Sequence, residues 1–222
     1  GVVRGTRRTV ISFYEDFEKI NVKFIAGSFK PFHYENKKNF EFVNLPYYSF
    51  LKIDPAQVLS QFGNLSWIHI KDLEDNLKGS DILNISDTYY FPNYQAVRWA
   101  KKNKLPVVTV IWCTIPNHIT TWFPPYSYIT KKVVEATDLF ILRSKTALKF
   151  TDSLGISRSK ITVIYKGVDL DKFKTSTINH KPSSLKILFT GNLSRAKGLD
   201  DLITCYLSLV TRYPKLKLVI AG

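Results

Sequence analysis

Short apolar runs alternate along this chain with longer stretches in which apolar positions recur every three or four residues. That alternation predicts strands at Val22–Ala26, Phe40–Leu45, Ile82–Ser86, Val107–Ile111, Leu139–Leu142, Ile161–Ile164, Leu185–Thr190 and Leu216–Ala221. Helical patterns follow most of them: Tyr94–Lys102, halted before Pro106; Tyr126–Thr137, after a Pro-Pro start; and Lys145–Leu154, ending at Gly155. The clearest period belongs to Leu199, Leu202, Ile203, Tyr206, Leu209, Val210 and Tyr213, which share one helix face. Asp200 and Asp201 suit the positive end of that helix, Arg212 the negative end, and Pro214 stops it. Strand and helix in regular alternation predict an α/β fold, a parallel sheet with flanking helices. Before the first strand, Thr6–Phe17 reads as an amphipathic helix, with no strand ahead of it to anchor a βα unit.

The period fails between Lys172 and Ser184, a segment rich in Ser, Thr and Lys. This predicts a linker at 172–184 between a first domain over residues 1–171 and the opening βαβ of a second over 185–222. The second stretch is too short to close a core of its own. Within it, Ile187-Leu-Phe-Thr-Gly-Asn-Leu-Ser-Arg-Ala-Lys-Gly198 leads a strand to Gly191 and on to a helix start. A missing side chain at Gly191, free N–H groups, the helix dipole and Lys197 together suit a phosphate. An ordinary strand–turn–helix with a solvated lysine explains the same residues equally well.

Composition changes the picture little, whereas charge changes it more. The 222 residues are 45% apolar and 23% charged, within the range of folded proteins. The formal charge is +14, unevenly distributed: +2 over residues 1–80, +3 over 81–137 and +9 over 138–222. Such a field attracts phosphate in a nucleotide, a nucleic acid or an anionic lipid. Nucleic acid ranks last, because the basic residues are not interleaved with stacking aromatics and no helix-turn-helix, zinc-finger or RRM pattern is present. Cys113 and Cys205 match neither a metal pair nor a disulfide framework, which favours a reduced, cytoplasmic setting. Without an export signal, the sequons at Asn64, Asn84 and Asn192 read as chance. No apolar run approaches the roughly 20 residues of a membrane span, so any membrane contact would be peripheral, at the inner face.

The paired segments Ile161-Thr-Val-Ile-Tyr-Lys-Gly-Val-Asp-Leu-Asp-Lys-Phe173 and Phe189-Thr-Gly…Lys-Gly198-Leu-Asp-Asp-Leu-Ile203 resemble the interdomain junction of glycosyltransferase family 4, the retaining GT-B enzymes. Asp81-Ile-Leu-Asn-Ile-Ser-Asp87, Val107–Trp112 with Ile115-Pro116, and Ala136–Ile141 followed by Ser144 are similar to its N-terminal domain, and Gly5-Thr-Arg-Arg-Thr to the end of its glycine-rich first loop. The resemblance implies two Rossmann-like domains, a nucleotide-sugar donor, a glycan or lipid acceptor, and neither metal nor other cofactor. It places Gly191, Asn192, Arg195, Lys197 and Gly198 at the donor diphosphate, with Lys197 balancing the leaving group's charge. The family usually has arginine where Asn192 stands, and Arg195 is the nearest substitute. Its paired glutamates lie beyond Gly222, so the 222 residues are expected to be inactive by themselves.

On the acceptor side the candidates are Asp87, Trp112, Asn117 and His118, all following strands whose C-terminal ends border the cleft in open α/β sheets. Cys113 replaces the glutamate of a Trp-Glu pair found in a subset of the family. A loop histidine with a satisfied hydrogen bond is the plainer reading of His118, and core or cleft wall that of Trp112. His33, His69 and His180 are isolated and lack metal-ligand spacing. The aromatic run Trp122-Phe-Pro-Pro-Tyr-Ser-Tyr128, ahead of Lys131 and Lys132, suits a lipid interface if exposed; burial of most of it is the expectation. A non-catalytic module binding a phosphorylated or polyanionic partner through the basic C-terminal segment is the alternative function.

Overall fold

A computed structural model describes residues 19–28, 38–49, 68–167, 170 and 185–222. The chain divides into two units, Gly1–Gly167 and Val168–Gly222. The expected linker at 172–184, the Thr6–Phe17 helix and Gly5–Thr9 lie outside the described residues.

Among the described residues the first unit contains two sheets. Strands β1 (Val22–Ser28) and β2 (Phe40–Ser49) pair in parallel, and a short β3 (Ile68–Ile70) runs antiparallel to β2. The second sheet is wholly parallel, in the order β4 (Leu83–Ser86), β5 (Val107–Ile111), β6 (Leu139–Leu142) and β7 (Ile161–Val163). Between these strands run α1 (Leu73–Leu77), α2 (Phe91–Lys102), α3 (Ile119–Trp122), α4 (Tyr126–Ala136) and α5 (Ala147–Ser153). Each strand adds to the same edge after a helical crossover, as a Rossmann-like half-sheet requires.

Alternation along the strands sets the core. Leu83 and Ile85, Val107, Thr109 and Ile111, and Phe140 and Leu142 are in register on one buried face. Ala96, Val97 and Ala100 of α2 and Ile129, Val133 and Ala136 of α4 join Leu83, Ile85 and Val107 in a cluster that also holds Leu45 and Ile70, so one core binds both sheets. Ala147 and Phe150 of α5 pack with Ile111, Phe140 and Leu142. Buried threonines are paired: the Thr109 and Thr137 hydroxyls lie 2.7 Å apart, and Thr137 donates to the Val133 carbonyl at 2.7 Å.

The second unit is one βαβ: β8 (Lys186–Thr190), a 3-10 turn at Arg195–Lys197, α6 (Leu199–Val210) and β9 (Lys217–Ala221), with β8 and β9 parallel. None of the side chains of α6 is buried.

Candidate functional site

In the first unit the chemistry gathers where β4 and β5 end. Leaving β4, the chain turns at Asp87, whose φ of 59° is left-handed, a conformation that Asp and Asn tolerate better than most residues. Its N–H donates to the Val110 carbonyl at 2.8 Å, and Asn93 Nδ2 donates to the Ser86 and Asp87 carbonyls at 2.7 and 2.8 Å. So held, the Asp87 carboxylate accepts the Trp112 N–H at 2.9 Å, closing the end of β5. Asp87 is 8% exposed, and burial pushes its carboxyl above the usual range against the opposing pull of the Trp112 and Cys113 N–H groups and of His118.

Around this carboxylate stand groups that stay protonated. Burial pushes the Tyr89 hydroxyl far up, with the neighbouring Tyr90 and Asp87 adding to the shift; the two tyrosine oxygens are 3.1 Å apart. Burial likewise raises Tyr90 and the Cys113 thiol. The His118 ring lies 6.2 Å from that of Tyr89. His118 Nδ1 accepts from the Thr120 N–H at 3.4 Å and lies 2.9 Å from the Thr120 hydroxyl. An amide can only donate, so Nδ1 is the acceptor and Nε2 is left as the N–H donor of the ring. The satisfied hydrogen bond expected of a loop histidine is therefore present, and it caps α3.

Trp112 is 45% exposed, and the Arg143 guanidinium sits 5.4 Å from its ring centre. Asp87, Trp112 and His118 thus come together. Asn117 does not join them: exposed and at a φ of 52°, it directs its N–H toward Ser153 Oγ at 3.5 Å. Tyr89, Tyr90, Asn93 and Arg143 were missed by sequence reasoning. Every one lies within seven residues after a parallel strand, so the strand-end rule that selects Asp87 reaches them too. The expected burial of the Trp122–Tyr128 run is overturned: Trp122, Phe123, Pro124 and Tyr128 are exposed, and Tyr126 alone is fully buried. The physical reason is the phase of α4, whose buried stripe is Tyr126, Ile129, Thr130, Val133 and Ala136, which turns Tyr128 outward.

In the second unit, Gly191 has a φ of 149° and ties its N–H to the Ala221 carbonyl at 3.0 Å. Gly198, at a φ of 70°, ends the 3-10 turn and begins α6. Asn192, Arg195 and Lys197 are exposed on this turn. Arg195 is tied to Asp200, Nε to Oδ2 at 2.8 Å, so the expected substitute for the family's arginine has a carboxylate partner; Lys197 has no ion-pair partner among the described residues. Gly222 also belongs here, since a Cβ on it would stand 2.7 Å from the Gly191 carbonyl and from Leu193. Among the described residues no group of three His, Cys, Asp or Glu side chains could hold a metal, and no helix is long and apolar enough to cross a membrane.

Parallel βα units with a polar cluster at the strand ends define a Rossmann-like α/β fold, and the likeness to solved structures places it in the GT-B type. Two solved GT-B structures share it over 100% of this chain: a trehalose-6-phosphate synthase from work on glycosyl transfer with retention (TM-score 0.62, 15% identity, 62% of that chain) and Anabaena HepE in complex with UDP and glucose (TM-score 0.54, 11% identity, 67% of that chain). The Glycosyltransferase Family 4 model matches residues 4–172, and the chain belongs to that family. An uncharacterized 41.2 kDa protein from the cps region of Klebsiella pneumoniae is 33% identical over 85 residues, 35% of this chain and 24% of that protein. The chain therefore matches about a quarter of that relative and less than two thirds of the synthase.

Proposed function

We propose that this protein serves a retaining glycosyl transfer from a nucleotide-sugar, with residues 1–171 as the acceptor-side domain, 172–184 as linker and 185–222 as the first part of the donor domain. The family match over residues 4–172 carries this reading. In the reaction, the bond from the anomeric carbon to the diphosphate oxygen breaks and the diphosphate leaves with the bonding pair. The acceptor oxygen bonds to that carbon, and its proton passes to the departing diphosphate oxygen.

The Asp87 cluster suits a glycan or lipid-linked hydroxyl acceptor. Tyr89, Tyr90 and His118 Nε2 supply hydrogen-bond donors, Trp112 an apolar face for a sugar ring, and Asp87 an acceptor oxygen while it fixes the Trp112 backbone. In the second unit Gly191 opens the backbone to the diphosphate and Lys197 offsets the charge that develops on it. No metal or other cofactor is assigned to the step. Calorimetry with nucleoside diphosphates and nucleotide-sugars tests the donor half. A nucleoside diphosphate should bind, and Lys197→Ala should weaken it about tenfold, the scale of one charge-assisted hydrogen bond. No binding, or binding indifferent to Lys197, overturns it. The purified 222 residues should transfer no sugar by themselves, and a radiolabelled-donor assay checks this.

A further inference from the structure

We propose that the outer face of α2 and α4, with the Trp122-Phe123 turn that joins α3 to α4, docks on an anionic lipid bilayer. Trp122 and Phe123 are 61% and 45% exposed and meet edge-on at 6.0 Å; Ile115 and Ile119 just before them and Tyr128 just after are also more than half exposed. The Ser127 N–H donates to the Phe123 carbonyl at 3.0 Å, so this apolar wedge is fixed to the first turn of α4. Apolar groups in such a row, exposed among the described residues, mark a surface that binds something.

Charge chooses the occupant. On α2 the exposed residues Arg98, Lys101 and Lys102 recur at helical spacing, and on α4 the exposed Tyr128 and Lys131 are followed by the half-buried Lys132. The two rows are joined through the Tyr94 and Tyr128 rings, 5.9 Å apart, with the Arg98 guanidinium 5.7 Å from the first and the Lys132 ammonium 5.9 Å from the second. Between Thr88 and Thr137 the chain holds six basic side chains and one acidic, Glu135, which pairs with Lys132 at 2.9 Å. Arg98, Lys101, Lys102 and Lys131 are left to face solvent beside the wedge.

Indole and phenol rings partition to the headgroup level of a bilayer, and lysine stems lie along apolar surface while their ammonium groups reach lipid phosphates. An acidic protein groove would match the basic rows but leave Trp122 and Phe123 without a reason to project. A nucleic acid would match the charge and the Tyr94–Tyr128 pair between the rows, but would leave Ile115, Ile119, Trp122 and Phe123 at one end of them without a partner. The surface requires no assumption about the reaction.

Flotation of the purified protein with phosphatidylglycerol-containing vesicles, and with phosphatidylcholine vesicles as reference, tests it. The protein should float with the anionic vesicles and far less with the neutral ones. Trp122→Ala with Phe123→Ala should lower partitioning at least tenfold, and Arg98→Glu or Lys131→Glu about fivefold or more each, in line with the attraction of one basic side chain to an anionic leaflet. Brominated acyl chains should quench tryptophan emission in the native protein and much less in Trp122→Ala. These side chains are exposed, so the variants should melt with the native protein by circular dichroism; if the double variant does not, Trp122→Ser replaces it. Failure to float with any vesicle overturns the proposal, as does flotation unchanged in the wedge variants. So does retention on heparin that follows the lysines alone, which would mark a general polyanion surface.

Discussion

Asp87 shows how one side chain can hold a backbone and still carry a charge. Asparagine keeps an oxygen for the Trp112 N–H and is at ease at a φ of 59°, so Asp87→Asn should fold with stability within about 1 kcal/mol of the native protein. Asp87→Ala leaves that N–H without its partner and strains the turn, and should cost about 2–4 kcal/mol in urea unfolding. The pH dependence separates charge from shape. Because burial raises the folded-state pKa of Asp87, the folded protein binds more protons than the unfolded chain from about pH 3.9 upward. This carboxyl therefore adds stability at low pH that is lost as pH rises through its folded value. Asp87→Asn should remove that loss, gaining on the native protein between acid and neutral pH; parallel curves would show that the carboxyl is not desolvated. His118→Asn, which can still cap α3, should preserve folding and the melting midpoint, and His118→Ala should fray the helix.

Elements stabilised by their own pattern were legible, whereas those stabilised from outside were not. Leu139–Leu142 and Val107–Ile111 are strands over the very residues their apolar runs predict. Helix α2 starts at Phe91, ahead of the predicted Tyr94, with Pro92 in its first turn, where a proline removes no hydrogen bond. Strand β3 has three residues and no period to detect. Its support comes from Gln95 on α2, whose side-chain amide accepts the Ile70 N–H at 3.1 Å and donates to the Ile70 carbonyl at 2.8 Å. That contact spans 25 residues of sequence and ties the mixed sheet to the helix over the parallel one. Gln95→Leu should therefore cost about 2–4 kcal/mol, since both backbone groups lose their buried partner, and amide exchange at Ile70 should accelerate with it. The candidate site divides in the same way. Asp87 and His118 could be found from strand ends, but the carboxylate clamp on Trp112 and the Arg195–Asp200 pair depend on side-chain direction, which spacing leaves undetermined.

Across the whole molecule, burial is distributed very unequally between the two units. Among the described residues, Leu216 is the single buried apolar side chain after Gly167, while the first unit holds both large helix–sheet clusters. In the second unit Leu188, Leu207, Leu209, Val219 and Ile220 are exposed, and Leu185, Ile187, Leu209, Tyr213, Pro214 and Leu216 line an apolar cavity of about 510 Å³. A two-stranded sheet with one helix is marginal in water, because the surface it buries does not offset the chain entropy lost on ordering it. Residues 1–167 expressed alone should therefore unfold in one cooperative transition, with a midpoint close to the main transition of the 222-residue chain. Residues 168–222 alone should show little helix by circular dichroism and no cooperative melt. Charge adds to this: residues 168–222 hold nine basic and four acidic side chains, +5 over a short segment against +9 over the much longer residues 1–167, so self-repulsion per residue is greater in the smaller unit. Raising the salt concentration should accordingly stabilise the melt of the 222-residue chain, most visibly in any early phase contributed by α6. A cooperative melt from residues 168–222 alone would show that this βαβ closes a core by itself and would remove the reason to regard it as part of a larger domain.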